Sequence, residues 1–541
     1  MQMEATSART RQALVGATYE WLVRQAVRSA RVGQTESAAH WSAIAGELTT
    51  FFASPILADE RLEGLLRNLS VPRKRTAGNR SLPRRWLHVL THAYRTGGHT
   101  ALVRRWIEMA PGTEHHDAAL THQLEDQWPE AFVRSVHSRG GRIVPVAAAS
   151  RDILVRADVL RKLSEEYDVV VLHVHPWDVV PVIAFGASGG CPILFMNHAD
   201  HVFWFGGSIA DAVLNIRTSG ELLSREQRAC RVNLRLPLPL PVSNEAPTDD
   251  DRRLKVRECF GIDANAVVFL TIGSRFKYLP VGNLDFRDAV IQLLERRANA
   301  VMLVVGPAAH EDGWPPLVSR FGSRLRVVGT QTDLTSYFEL SDIYMEGFPF
   351  GSLTALLEAV LAGLAPVLAP SLCPLPFRSD DFVLDTLPIA ASVADYVDLA
   401  LSLADNVAAA RNKAVGLAQL LRVAHSPPGW LVPLSAVAEF VRDVDDHSVA
   451  SISGAHPLDT DRVQYWAEFI DRARGDTAFG WAYRTAMREG LTPRVDLAMM
   501  AALRSAKAQG LSSLKPWTKT LGSHVLAALP KKVANYLYER I

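Results

Sequence analysis

Long apolar runs are missing. Nowhere among the 541 residues do about 18 or more apolar residues follow one another, the length a helix needs to span a bilayer. Cysteine is scarce: Cys191, Cys230, Cys259 and Cys373 stand far apart with no paired spacing. That usage fits a reducing cytoplasm and provides no disulfide scaffold. A charge excess is missing as well, with 58 Lys and Arg against 57 Asp and Glu, which argues against a protein that works mainly by binding nucleic acid. The opening MQMEATSARTRQ is polar and runs into an amphipathic pattern, so it does not read as a signal peptide. A cytoplasmic protein is the expectation.

Apolar residues are plentiful, about half of the chain, and the length exceeds what one core organises. Trp21, Leu22, Ala26 and Ala30 recur at helical spacing, as do Trp41, Ile44, Leu48 and Phe52, so residues 1–75 are expected to form a helical domain. The basic stretch VPRKRTAGNRSLPRR reads as a linker. From Trp86 short apolar runs alternate with helical patterns: WLHVLT, RIVPVA, DVVVLHV, PILFMN and AVLNIR are strand candidates. Continuous runs of this kind point to a parallel sheet covered on both faces, over 76–240. In LPLPLPVSNEAPTDDD the prolines at every second position cannot feed a central ladder, which marks a crossing between domains. AVVFLTIG, AVMLVVG, LRVVG, DIYMEG and APVLAP then predict a second sheet over 250–422, and 423–541 reads as a helical extension. The fold class expected is α/β, two Rossmann-like domains facing a cleft.

The stretch YMEGFPFGSLTALLEAVLAGLAPVLAP places a glycine turn, a helix start and one acid between two strands. Ligands of open parallel sheets sit at the carboxyl ends of the strands. Gly351 would let the chain approach a ligand closely. Ser352, Leu353 and Thr354 would present backbone N–H groups and the positive end of a helix dipole to an anion. Glu358, one turn further, suits a hydroxyl donor such as a ribose. Diphosphate plus ribose describes a nucleotide-sugar.

FPFGSLTALLEAVLAGLAPVLAP resembles the nucleotide-binding element of glycosyltransferases with the two-domain GT-B fold. It is most similar to O-GlcNAc-transferase-like and bacterial protein-glycosylating enzymes. It departs from the commoner pattern of two glutamates separated by seven residues: the first would fall at Phe350, and Glu346 is displaced by four. TIGSRFKYLP places Arg275 and Lys277 after a strand, where the resemblance implies a lysine that neutralises the donor diphosphate. The loop from Gly329 to Gln331 lies where such enzymes hold the base.

RTGGHT, with Gly97, Gly98 and His99, is expected to reach the cleft from the first domain. CPILFMNHAD resembles the strand-plus-histidine element that faces the donor sugar, which makes His198, with His99, the expected catalytic pair. His201 and Asp200 lie beside it, and His173 and His175 read as structural. These histidines lack a cysteine cluster or a His-Glu-x-x-His helix, so no metal is expected, and no cofactor. The resemblance implies transfer of a hexosyl or N-acetylhexosaminyl group from a nucleotide-sugar, a uridine diphosphate sugar first, to a protein, glycan or lipid-linked acceptor. An epimerase of the same fold and a catalytically silent binding protein are the alternatives. Trp517, Leu521, Val525, Leu526 and Leu529 with Lys515, Lys519, Lys531 and Lys532 form a basic amphipathic pattern. It reads either as a strap on the first domain or as a peripheral membrane contact.

Overall fold

The computed structural model describes residues 2–72, 82–95, 97–240, 250–311, 313–473 and 477–509. Most of the basic linker, residues 241–249 of the proline-rich crossing and the segment from Lys515 to Lys532 lie outside them.

The fold is α/β with two parallel sheets. The first holds β1 (Arg85–Leu90), β2 (His115–Leu120), β3 (Ile143–Pro145), β4 (Val169–His173), β5 (Ile193–Asn197), β6 (Ala212–Asn215) and β7 (Asn233–Arg235), in the order β3-β2-β1-β4-β5-β6-β7. The second holds β8 (Val267–Ile272), β9 (Ala300–Val305), β10 (Leu325–Val327), β11 (Ile343–Met345) and β12 (Ala365–Val367), in the order β10-β9-β8-β11-β12. Every ladder between these strands is parallel. Each residue of β4 and β9 is buried, because helices cover both faces and leave no polar side to alternate with.

Strand order reverses between β1 and β4 in the first sheet and between β8 and β11 in the second. At such switch points the loops after neighbouring strands diverge and open a crevice. The segments carrying Gly97 to His99, Lys277 and Gly351 follow β1, β8 and β11.

The helices Gln2–Arg31 and Thr35–Phe51 share one continuous core with the first sheet, from Trp21 and Trp41 through Leu87, Val170 and Phe195. Between the sheets, 236–240 runs extended against the second unit. Pro237 and Leu238 offer carbonyls to Trp430 Nε1 (2.8 Å) and His425 Nδ1 (2.8 Å), and the Leu240 amide donates to His425 O (2.9 Å). Prolines at alternate positions thus leave carbonyls facing outward as acceptors, and side chains satisfy them. Past the helix Leu431–Asp443 the chain returns to the first unit. There His447 binds Asp211 and the Phe185 carbonyl, each at 2.8 Å. The helices Ala478–Arg488 and Leu497–Ala508 then pack on Gln2–Arg31, with Phe479 edge-on to Trp21 at 5.2 Å. Among the described residues no helix is long and apolar enough to cross a membrane.

Candidate active site

The two units meet at their strand carboxyl ends, and two helix starts face each other there. The first-unit helix Gly98–Met109 begins after Gly97, whose φ of +101° suits glycine alone. A Cβ on Gly98 would lie 3.1 Å from Thr354 Oγ1, in the first turn of the second-unit helix Leu353–Leu361. Both helices turn unpaired backbone N–H groups and positive dipole ends toward this gap.

Lys277 stands beside it. Its ammonium donates to Gly351 O (2.7 Å) and sits 4.9 Å from the centre of the Phe350 ring. Burial, with the nearby Arg217 cation, lowers its pKa from 10.5 to about 8, so the charge is held without a carboxylate in direct contact. Such an ammonium gains most from an incoming anion. Beneath the turn lies Glu346, fully buried, accepting from the amides of Ala369 (2.8 Å) and Ser379 (2.9 Å). A Cβ on Gly351 would come within 2.2 Å of Glu346 Oε1. Glycine is therefore required at 351 for packing against this carboxyl, although its φ is not positive. Burial raises the Glu346 pKa.

On the first unit His99 and His198 lie against each other, ring centres 4.4 Å apart and planes tilted by 45°. His99 Nε2 donates to His173 O (2.7 Å) and His198 Nδ1 to Met196 O (3.1 Å), so each ring keeps its other nitrogen as a lone pair. Burial pushes both pKa values down, His198 well below the usual value with His99 and His175 adding to it. Two neutral imidazoles at the cleft suit proton acceptance.

The expected ribose ligand is engaged otherwise. Glu358 Oε1 accepts from Arg105 of the first unit at 2.5 Å, both side chains about one-fifth exposed at 19%. Nor do all expected residues converge. Arg275 is exposed and lies 3.6 Å from Glu311, and Gln331 donates its amide to Val328 O in its own loop (2.9 Å). Ser352 precedes the helix without a side-chain capping bond.

Several residues that hold the site together escaped the sequence reading. Arg217, directly after β6, binds Asp200 through two nitrogens (2.7 and 2.8 Å) and also donates to the second-unit carbonyls of Pro376 (2.8 Å) and Arg378 (3.1 Å). Burial opposes the charge on Asp200, but Arg217 and His201 outweigh it and hold the carboxyl well below its usual range. Asp380 crosses back to accept from Ser219 N (2.9 Å) and Oγ (2.7 Å) at a helix start. The helix Thr460–Ala473 lays Trp466 and Phe469 on Phe377 and Phe350, and Tyr465 donates to Pro349 O (2.6 Å). Arginines and aromatics of this kind carry no motif, since most of their partners lie far away in the sequence. Among the described residues no group of three or more His, Cys, Asp or Glu is arranged to hold a metal ion.

Neither a family model nor a curated relative matches the chain. Among solved structures it is similar to two-domain glycosyltransferases. An O-GlcNAc transferase point mutant from Thermobaculum terrenum shares 14% identity at a TM-score of 0.49, over 78% of this chain and 82% of that one. A glycosyltransferase from Rickettsia africae shares 10% at 0.47, over 66% and 99%. WaaG, a glycosyltransferase of lipopolysaccharide biosynthesis, shares 15% at 0.43, over 66% and 100%.

Proposed function

We propose that this protein transfers a sugar from a nucleotide-sugar, a uridine diphosphate sugar first, to a hydroxyl or amide acceptor, with the diphosphate charge met by the protein itself. One observation carries the reading: the desolvated Lys277 ammonium lies on Gly351 at the point where the Gly98 and Leu353 helix starts converge. Two dipole ends and a buried cation define an anion site, and the neutral His99 and His198 imidazoles beside it supply proton acceptors. The ribose reaches Glu358 by displacing Arg105, which then becomes a second cation near the phosphates. The acceptor enters from the first unit past His99. We place the protein in the cytoplasm, with any membrane contact through the basic segment beyond the described residues.

A thermal-shift series with UDP, UDP-glucose, UDP-N-acetylglucosamine, GDP and ADP tests the donor. One of these at a hundred times its Kd adds roughly 2.7 kcal/mol of stability, and that ligand's sugar is released slowly in the absence of acceptor. Binding without any sugar release favours the silent binding protein, and no shift with any nucleotide sinks the donor reading.

A further inference from the structure

Three histidines form a diagonal across the first sheet. In register His116 of β2 pairs with Trp86 of β1, and His88 of β1 pairs with Val171 of β4. Going from His116 to His88 and on to His173 therefore advances two residues per strand, and the period of two keeps all three side chains on one face. The path covers about 13 Å along the strands, from the amino edge of the sheet to the carboxyl edge at the cleft.

The rings are hydrogen-bonded in sequence. His116 Nε2 meets Glu114 Oε2 at 3.2 Å, His88 Nε2 meets His116 Nδ1 at 3.0 Å, and His173 Nε2 meets His88 Nδ1 at 3.0 Å. All three histidines are fully buried. Trp86 stacks on His116, and Trp106 stands edge-on to both His88 and His173. Glu114 reaches the surface, its side chain 13% exposed.

Glu114 also sets the polarity. A carboxylate accepts, so His116 carries its proton on Nε2 and offers Nδ1 as acceptor. His88 must then donate from Nε2, and His173 likewise. The last lone pair, on His173 Nδ1, is buried and has no hydrogen-bond partner. His173 O accepts from His99, and His99 and His198 are the cleft groups whose charge His173 senses. His116 faces Glu114, Arg139 and His115, and His88 faces His116 and His173. Burial lowers the pKa of all three rings, keeping them neutral near pH 7.

We propose that His173, His88, His116 and Glu114 form a proton relay that carries the acceptor's proton from the cleft to the far edge of the sheet. This rests on the glycosyl-transfer reading. As the acceptor oxygen or nitrogen bonds to the sugar carbon, the sugar–phosphate bond breaks and its electron pair leaves with the nucleoside diphosphate. The acceptor's O–H or N–H bond breaks, and its proton is taken by the His198 lone pair in the cleft and passed on to His173 Nδ1. His173 passes its Nε2 proton to His88 Nδ1, His88 passes its own to His116 Nδ1, and His116 gives its Nε2 proton to the Glu114 carboxylate. Each ring ends neutral with the opposite tautomer. The relay resets by the reverse sequence, one proton returning from Glu114 through the rings to the departing diphosphate. The histidines and Glu114 are positioning and relay residues, since none of them is shown touching substrate.

Protein carrying ring-¹⁵N histidine reads the tautomers directly. Three neutral rings protonated at Nε2 are expected, and an Nδ1-protonated or charged ring among them overturns the relay. Glu114→Gln keeps the shape but removes the proton sink. Its kcat should fall by about a hundredfold, in the range of general acid–base effects, with the donor KM within about twofold. Acetate should restore turnover to Glu114→Ala. A Glu114→Gln enzyme with wild-type kcat, or one that loses only melting temperature, overturns the proposal. In that case wild-type transfer persists, whereas failure of the underlying reading shows as a wild type that turns over no nucleotide-sugar, which removes both.

Discussion

Lys277 illustrates how one buried side chain couples charge to both binding and folding. With its pKa lowered to about 8, the ammonium is lost from the free protein above that pH. Donor affinity should therefore fall as pH rises from 8 toward 10, and binding in that window should take up a proton. Calorimetry in buffers of different ionisation heat checks this, and Lys277→Arg should move the decline to higher pH, since guanidinium stays charged. Stability runs the other way. Between about 8 and the unfolded value of 10.5 the unfolded chain holds a proton that the folded one has shed, so stability rises with pH there. At this scale the sequence was legible where a motif fixed the backbone: Gly98 comes up to Thr354, and Lys277 to Gly351. It was opaque where a side chain found a distant partner. Nothing in ALVRRWIEMA says that Arg105 will reach Glu358, and nothing in the resemblance says that Arg275 will lie beside Glu311.

Among the elements, the five strands of the second sheet were all readable because each is a short, mostly apolar run, broken only by Thr271 in β8 and Arg326 in β10. β2 was not, since His115, His116 and Asp117 open it with residues that look like a loop. Its polar start is stable in the interior only because His116 is hydrogen-bonded on both sides and Asp117 accepts from Tyr167 (2.6 Å) and Arg142 N (2.7 Å). β7 at the sheet edge was not readable either, since Asn233 and Arg235 leave Leu234 as its one apolar residue. The helix Thr460–Ala473 was readable as a helix, yet its place over the Phe350 turn was not. Trp466, 7% exposed, packs there against Phe377 and Phe469. Trp466→Ala should cost about 3–5 kcal/mol. It should also raise the donor KM, because Phe350, on which Lys277 rests, loses its support. Urea titration and donor kinetics on the same preparation check the two together.

Across the whole molecule, polar contacts bind the units face to face: Arg217 to the Pro376 and Arg378 carbonyls, Ser219 to Asp380, and Arg105 to Glu358. Arg217 matters most, because it also neutralises the buried Asp200. Arg217→Ala leaves that carboxylate uncompensated and should cost about 3–5 kcal/mol. The same variant should widen the cleft, seen as a larger radius of gyration in small-angle scattering; an unchanged radius would assign closure to the remaining contacts. The two-sheet plan was visible from the periodicity and the proline crossing. The closing contacts were not, because they join residues that only the finished fold brings together.

The return of the chain to its starting unit has a consequence for synthesis. All strands of the second sheet lie between 267 and 367, so that sheet is complete once one continuous stretch has left the ribosome. The first sheet's core also takes Phe479, Ala482, Tyr483 and Met499, which emerge only after the whole second sheet. Until they emerge, Trp21 and its neighbours face water with part of their cover missing. The nascent chain carries that apolar seam exposed until those helices close it, so the helix Gln2–Arg31 waits for a stretch made much later before its packing is finished.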